Sequence, residues 1–195
     1  MRWLCVAAVS EIPDFHRLAR GGFKTYALGI GQFDSLAALA TLTASQRPDG
    51  IVLAGTCGST EKENIFRLFQ CQHFAAPKIS DEELPEFLLH AVETKEAAAF
   101  AGLPRATVLQ NHGLSLSHEK FARNTGYIPP GYPLPVLENM EATSLAFFCH
   151  KQAIPFSALL CVTNAIGPDG RREWKENFRR AGEILAETLR SPSFS

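Results

Sequence analysis

Two acidic positions in this sequence stand where a carboxylate can act on a bound molecule. Glu138-Asn139-Met140-Glu141 follows a loop rich in proline and glycine over 123–135 and is expected to open a helix. Its carboxylates then lie near the positive end of a helix dipole, where a ligand can enter. A carboxylate there is a bidentate acceptor for a sugar diol, and it equally serves to compensate the dipole. Glu11 ends an apolar run that reads as a buried strand. It is either a general base aimed into a pocket or a solvated residue that closes the strand. Asn111-His112 and His118 have no second ligand at metal spacing, so no metal site is expected. The five cysteines (Cys5, Cys57, Cys71, Cys149, Cys161) are odd in number, widely spaced and mostly inside apolar stretches, which points to reduced thiols of a cytosolic protein.

These side chains need a scaffold. A chain of 195 residues can bury a sizeable core in one domain. With 46% hydrophobic residues, 20% charged residues and a net charge of −1, it has neither the polarity of a disordered chain nor the basic excess of a nucleic-acid binder. The apolar run over 3–9 is too short to span a membrane, and Ser10-Glu11 interrupts it before any small-residue cleavage site. Strands are predicted over 2–9 and 23–28, a helix over 34–45, and a buried strand over 50–54 ended by Gly55, together a βαβ unit closed by a glycine turn. A strand over 65–74, a helix over 81–100 capped by Ser80 with Glu83 three residues on, and a short strand over 106–109 follow. The last third predicts an amphipathic helix over 141–152, a strand over 156–162, a turn at Gly167-Pro168-Asp169-Gly170 and a final helix over about 171–190. That helix carries Trp174, Phe178, Ala181, Leu185 and Leu189 on one stripe. Repeats and linkers are absent from the sequence, so one domain over 1–190 with a tail at 191–195 is expected.

Asn139-Met140-Glu141-Ala142-Thr143, with the later Cys149-His150, Pro155-Phe156 and Thr163-Asn164-Ala165, resembles the methionine–glutamate helix and following strand of the nucleoside phosphorylase and nucleosidase superfamily. The spacing from Glu141 through Pro155 to Asn164 matches as well. Ala8-Val9-Ser10-Glu11 is similar to that family's strand-end acidic residue, and Gly29-Ile30-Gly31 to its glycine turn. Pro48-Asp49 leading into Gly55-Thr56-Cys57-Gly58 is similar to its glycine loop beside the ribose. The likeness covers most of the chain and is weakest between residues 60 and 135.

The resemblance implies a single α/β domain with a central mixed, twisted sheet flanked by helices, and a nucleoside pocket at strand ends. In that pocket Met140 packs under the sugar, Glu141 holds its hydroxyls and Glu11 positions and deprotonates an attacking water, with Gly55, Thr56 and Asn139 beside them. Breaking a ribosyl bond develops positive charge on the sugar, so an anion and a base are the groups that chemistry requires. Two departures refine it. Hexameric phosphorylases of this family carry an arginine where this chain has Leu53, which favours water over phosphate as nucleophile. The methylthioadenosine and adenosylhomocysteine nucleosidases carry an aspartate where this chain has Asn164. An amide is no strong acid, but it can both donate to and accept from a 6-oxopurine, or it can cap the following helix.

Asn164, Pro168, Arg171 and Trp174 together resemble the futalosine hydrolases, which release hypoxanthine from futalosine on an alternative route to menaquinone. Arg171 or Arg172 is then a candidate for the substrate's carboxylate and Trp174 for its aromatic part, although Trp174 also suits a core stripe. Ser115 and Leu116 are candidates to touch the base, and Phe156, Tyr127 and Phe33 to stack on it. The family likeness further implies no cofactor, a cytoplasmic homodimer whose neighbouring subunit closes each pocket, and neither nucleic acid nor membrane as partner. Rival readings are a methylthioadenosine or adenosylhomocysteine nucleosidase, an inosine-type phosphorylase, and a nucleoside-binding protein without catalysis.

Overall fold

The computed structural model describes residues 1–18, 23–76, 91–111, 121 and 128–191. Apolar runs become strands, the longest of them buried on both faces, the pattern expected when helices cover a largely parallel sheet. They are β1 (Arg2–Val6), β2 (Phe23–Ala27), β3 (Ile51–Ser59), β4 (Leu68–Ala75), β5 (Ala91–Glu93), β6 (Arg105–Gln110), β7 (Val136–Asn139) and β8 (Phe156–Ala165). Three α-helices accompany them among the described residues: α1 (Gln32–Ser45), α2 (Ala142–Lys151) and α3 (Gly170–Arg190).

The eight strands form one mixed sheet in the order β2-β1-β3-β7-β6-β4-β5. β8 lies off this path, pairing in parallel with β3 and antiparallel with β4. The strands β3, β7, β6, β4 and β8 therefore close a five-membered ring, from which β1 and β2 extend on one side and β5 on the other. Leu39 of α1 and Leu145, Ala146 and Cys149 of α2 pack on one face with Trp3, Leu53 and Phe156. Ala181, Leu185 and Leu189 of α3, spaced four residues apart on one stripe, pack on the other face with Leu4, Val52 and Leu159.

The single-domain α/β sheet with flanking helices is as the sequence predicts, and several boundaries are not. β1 stops at Val6, and Val9–Glu11 is a 3₁₀ turn, so Glu11 sits on a turn beyond the strand. β3 does not end at Gly55 but runs to Ser59, since β8 pairs with it along its whole length. Of the predicted helix over 81–100, residues 81–90 with Ser80 lie outside the described residues. Ala91–Glu93 form a strand instead, because they pair with β4. Residues 138–139 belong to β7 rather than to a helix, and α2 starts at Ala142 with Glu141 as its N-cap. All five cysteines are free and buried. Among the described residues no helix is long and apolar enough to cross a membrane.

Candidate active site

A cavity of about 330 Å³ opens where β1, β3, β6, β7 and β8 end, a volume within the usual range for small-molecule sites. Strand ends of an α/β sheet are where such folds place ligands. Its carboxylates come from three places in the chain, Glu11, Glu138 and Glu141. No lysine or arginine lines it among the described residues.

Glu141 is set by two neighbouring devices. Gly31, in the left-handed region at φ +87°, turns its amide toward the cavity and donates to Glu141 Oε1 at 2.7 Å. Asn139 Oδ1 accepts from the amides of Glu141 (2.9 Å) and Ala142 (2.7 Å), satisfying the first donors of α2, while its Nδ2 donates to the Thr56 carbonyl at 3.0 Å. Gln110 adds a brace, donating from Nε2 to the Met140 carbonyl at 2.6 Å and accepting from the Ser144 amide at 3.2 Å. Burial raises the Glu141 carboxyl above its ordinary range, and the Gly31 amide, its own amide and Asn139 hold that rise back.

Glu11 faces the same cavity with less support. Thr56 Oγ1 donates to its Oε1 at 3.4 Å, and Trp174 Nε1 donates to Thr56 Oγ1 at 3.3 Å, so a chain of hydrogen bonds runs from α3 to the carboxylate. Its Oε2 is buried with no hydrogen-bond partner. Burial, then the charge of Glu141, pushes the Glu11 carboxyl up to about 7, with Thr56 and the nearby amides of Ala8 and Ala7 opposing. A carboxylate with that affinity for protons is matched to taking one from water near neutral pH.

At the far end the register places Gly58 of β3 between Glu138 of β7 and Asn164 of β8. Asn111 Nδ2 donates to Glu138 Oε2 at 2.9 Å. Asn164 Oδ1 accepts from Thr163 Oγ1 at 2.9 Å, and its Nδ2 donates to the Ala165 carbonyl at 3.1 Å. Asn164 thus ends a strand and does not cap a helix, the N-cap of α3 being Asp169. Trp174 and Phe178, stacked with centroids 5.1 Å apart and planes at 18°, form an apolar wall.

Of the residues singled out from sequence, the fold brings Glu11, Thr56, Asn139, Met140, Glu141, Asn164 and Trp174 to this one cavity. Gly55 stands behind it, where a Cβ would lie 3.7 Å from Glu11 Oε2. Arg171 and Arg172 do not reach it. Both are exposed at the outer start of α3, and Arg172 pairs with Asp169 and Glu176. The rotation of α3 is fixed by Glu173, whose Oε2 accepts from the Ala165 amide at 2.8 Å, and this turns Trp174 and Phe178 inward. Leu53 packs in the core rather than in the lining. Phe156 is core and Phe33 is exposed, so neither forms the wall. Ser115, Leu116, His112, His118 and Tyr127 lie outside the described residues. Among the described residues no group of three His, Cys, Asp or Glu side chains is arranged to hold a metal ion. Sequence reasoning gave no individual role in the pocket to Glu138, Asn111, Gly58 or Phe178, which the cavity includes.

No family model matches the chain, and no curated protein does. Solved structures do. The methylthioadenosine/adenosylhomocysteine nucleosidase of Helicobacter pylori, crystallised with a butylthio-DADMe-Immucillin-A, superposes with a TM-score of 0.79 at 14% identity, over 96% of this chain and 95% of that one. The corresponding S. pneumoniae nucleosidase gives 0.80 at 12% identity over 97% and 96%. Native futalosine hydrolase of H. pylori gives 0.79 at 14% identity over 96% and 94%. The chain therefore has the fold of these nucleosidases over 96–97% of its length.

Proposed function

We propose that this protein hydrolyses the ribosyl N-glycosidic bond of a purine nucleoside. The observation that carries the reading is the convergence of Glu11 and Glu141 on one cavity that holds no cation among its described lining residues. In the proposed reaction Glu11 takes a proton from water as the water oxygen bonds to the anomeric carbon. The glycosidic C–N bond breaks with its electron pair passing to the purine, which solvent then protonates. Glu141, held at Oε1 by Gly31, offers its remaining lone pairs to the ribose hydroxyls and opposes the positive charge that develops on the sugar.

The more particular reading is futalosine hydrolase, releasing hypoxanthine and dehypoxanthine futalosine. Asn164 supports it, because its amide suits a 6-oxopurine and lacks the acidity to protonate an adenine. The stacked Trp174 and Phe178 support it too, as an apolar surface for an aromatic group at the far end of the substrate.

Base release followed chromatographically is expected to proceed from futalosine faster than from methylthioadenosine or inosine, at a rate indifferent to added phosphate. Formation of ribose 1-phosphate sinks hydrolysis in favour of phosphorolysis, and a preference for methylthioadenosine sinks the futalosine reading alone. Glu141→Gln is expected to lower kcat by tens- to about a thousand-fold, because an amide still bonds the ribose without opposing its charge. A raised KM at unchanged kcat removes that role.

A further inference from the structure

Trp174 does more than line the cavity. Its ring stacks on Phe178, while its Nε1 lies 3.3 Å from Thr56 Oγ1, which lies 3.4 Å from Glu11 Oε1. The indole is held in that place because α3 is registered on β8 over two successive turns. Glu173 Oε2 accepts from the Ala165 amide at 2.8 Å, and four residues on Asn177 Nδ2 donates to the Thr163 carbonyl at 2.8 Å.

The three groups can bond in one direction only. An indole N–H donates and cannot accept, whereas an ionised carboxylate accepts and cannot donate. The threonine hydroxyl between them has one hydrogen and two lone pairs. With a lone pair taken by the indole, its hydrogen is left to point at Glu11 Oε1. A proton on Oε1 would meet that hydrogen head on. The proton drawn from water therefore goes to Oε2, which is buried with no hydrogen-bond partner.

Little else steadies this carboxylate. Glu141 is the charged group that faces it, while β3 offers Thr56 and Gly55 and α3 offers Trp174 and Gly182, none of them charged. Burial and then Glu141 push Glu11 up to about 7, and Thr56 is the side chain that opposes them. Resting on the hydrolytic reading above, we infer that Trp174 is a positioning residue for the general base. It orients the Thr56 hydroxyl, so that Glu11 is held at Oε1 and takes its proton at Oε2.

Trp174→Phe keeps a ring on Phe178 and removes the N–H. It is expected to lower kcat/KM near neutral pH by about three- to ten-fold, the scale of one hydrogen bond. The acid limb of the kcat/KM profile should move up by about 0.5–1 pH unit, because ionised Glu11 loses a donor. Thr56→Val should move the limb at least as far, and adding Trp174→Phe to it should move the limb no further. Thr56→Ser, which restores the hydroxyl, should return it. A raised KM with the limb unmoved is the signature of a wall alone and overturns the inference, as do additive shifts in the double variant. The chain has two tryptophans, which allows a second measurement without touching α3. In protein carrying isotope-labelled tryptophan, one of the two indole N–H resonances should titrate with the midpoint of the kinetic limb and lose most of that shift in Thr56→Val. This decides the matter if Trp174→Phe fails to fold, and two pH-invariant resonances overturn the inference. Absence of base release from any nucleoside, with the indole titration intact, overturns the hydrolytic reading while the hold of Trp174 on Glu11 stands.

Discussion

Glu11→Gln is expected to lower kcat by about 100-fold or more and, at the same time, to raise the melting temperature at pH 8. The rate loss follows from removing the base that takes the proton from water. The stability gain follows from the position of the carboxylate, buried beside Glu141 with Oε2 unpartnered. Its affinity for protons is raised on folding from 4.5 to about 7, so between those values the folded chain binds more protons than the unfolded one. Stability then falls as pH rises through that window, by up to about 3 kcal/mol once Glu11 is ionised in the folded state. Glutamine carries no charge and escapes that loss. Calorimetric scans should therefore show the variant several degrees above wild type at pH 8 and level with it only below about pH 4.5. In the wild type kcat/KM should drop below about pH 7 rather than in the ordinary carboxylate range, as Glu11 takes up its proton. Full turnover by Glu11→Gln, or an acid limb near pH 4.5, would remove Glu11 from the chemistry.

Gly182→Ala is the second substitution with a large expected effect. Helix α3 crosses the Val9–Glu11 turn so closely that a Cβ on Gly182 would lie 2.1 Å from the Glu11 carbonyl oxygen and 3.2 Å from Pro13 Cδ. The obstacle is main chain, so either the helix or the turn must move. Overpacking of this kind costs about 1–3 kcal/mol, offset in part by the roughly 0.5–1 kcal/mol that alanine gains over glycine inside a helix. The larger consequence is for rate. Displacing the turn moves the base, and a shift of about 1 Å at a reacting group can cost on the order of 100-fold. A lower melting temperature with kcat depressed far more than KM is the expected pair of results. An alanine variant that melts higher and turns over normally would show that α3 does not seat the Glu11 turn.

Much of the fold was legible because its signals are local. Ala181, Leu185 and Leu189 mark α3 by spacing alone, and the apolar runs at 51–54 and 156–162 mark β3 and β8. Positions as distant as Glu11, Thr56, Glu141 and Trp174 were selected together, and they share one cavity. What escaped was set by pairing between distant strands. β7 is four buried residues between a proline-rich loop and a helix, with no alternation to betray it, and it carries Glu138. Gly55 has the look of a turn residue, but β8, which pairs with β3 from Ile51 to Ser59, holds the strand extended through it. Trp174 reads equally as a core residue and as a cavity wall. The rotation of α3, fixed by the Glu173 bond to Ala165, decides between them.

The five-membered strand ring has a consequence for how the molecule is made. Its closing member, β8, enters between β3 and β4 although it lies about a hundred residues beyond β3 in the chain. Contacts of such long sequence separation form slowly, since the intervening chain must be confined before they give anything back. During synthesis the N-terminal three quarters emerges with two hydrogen-bonding edges open, those of β3 and β4, and both are rich in buried apolar residues. Asn164 arrives on the same strand that closes those edges. The strand that carries Asn164 into the cavity is therefore the one that ends the exposure of these aggregation-prone edges, so a chain cut short before β8 has neither a finished site nor closed β3 and β4 edges.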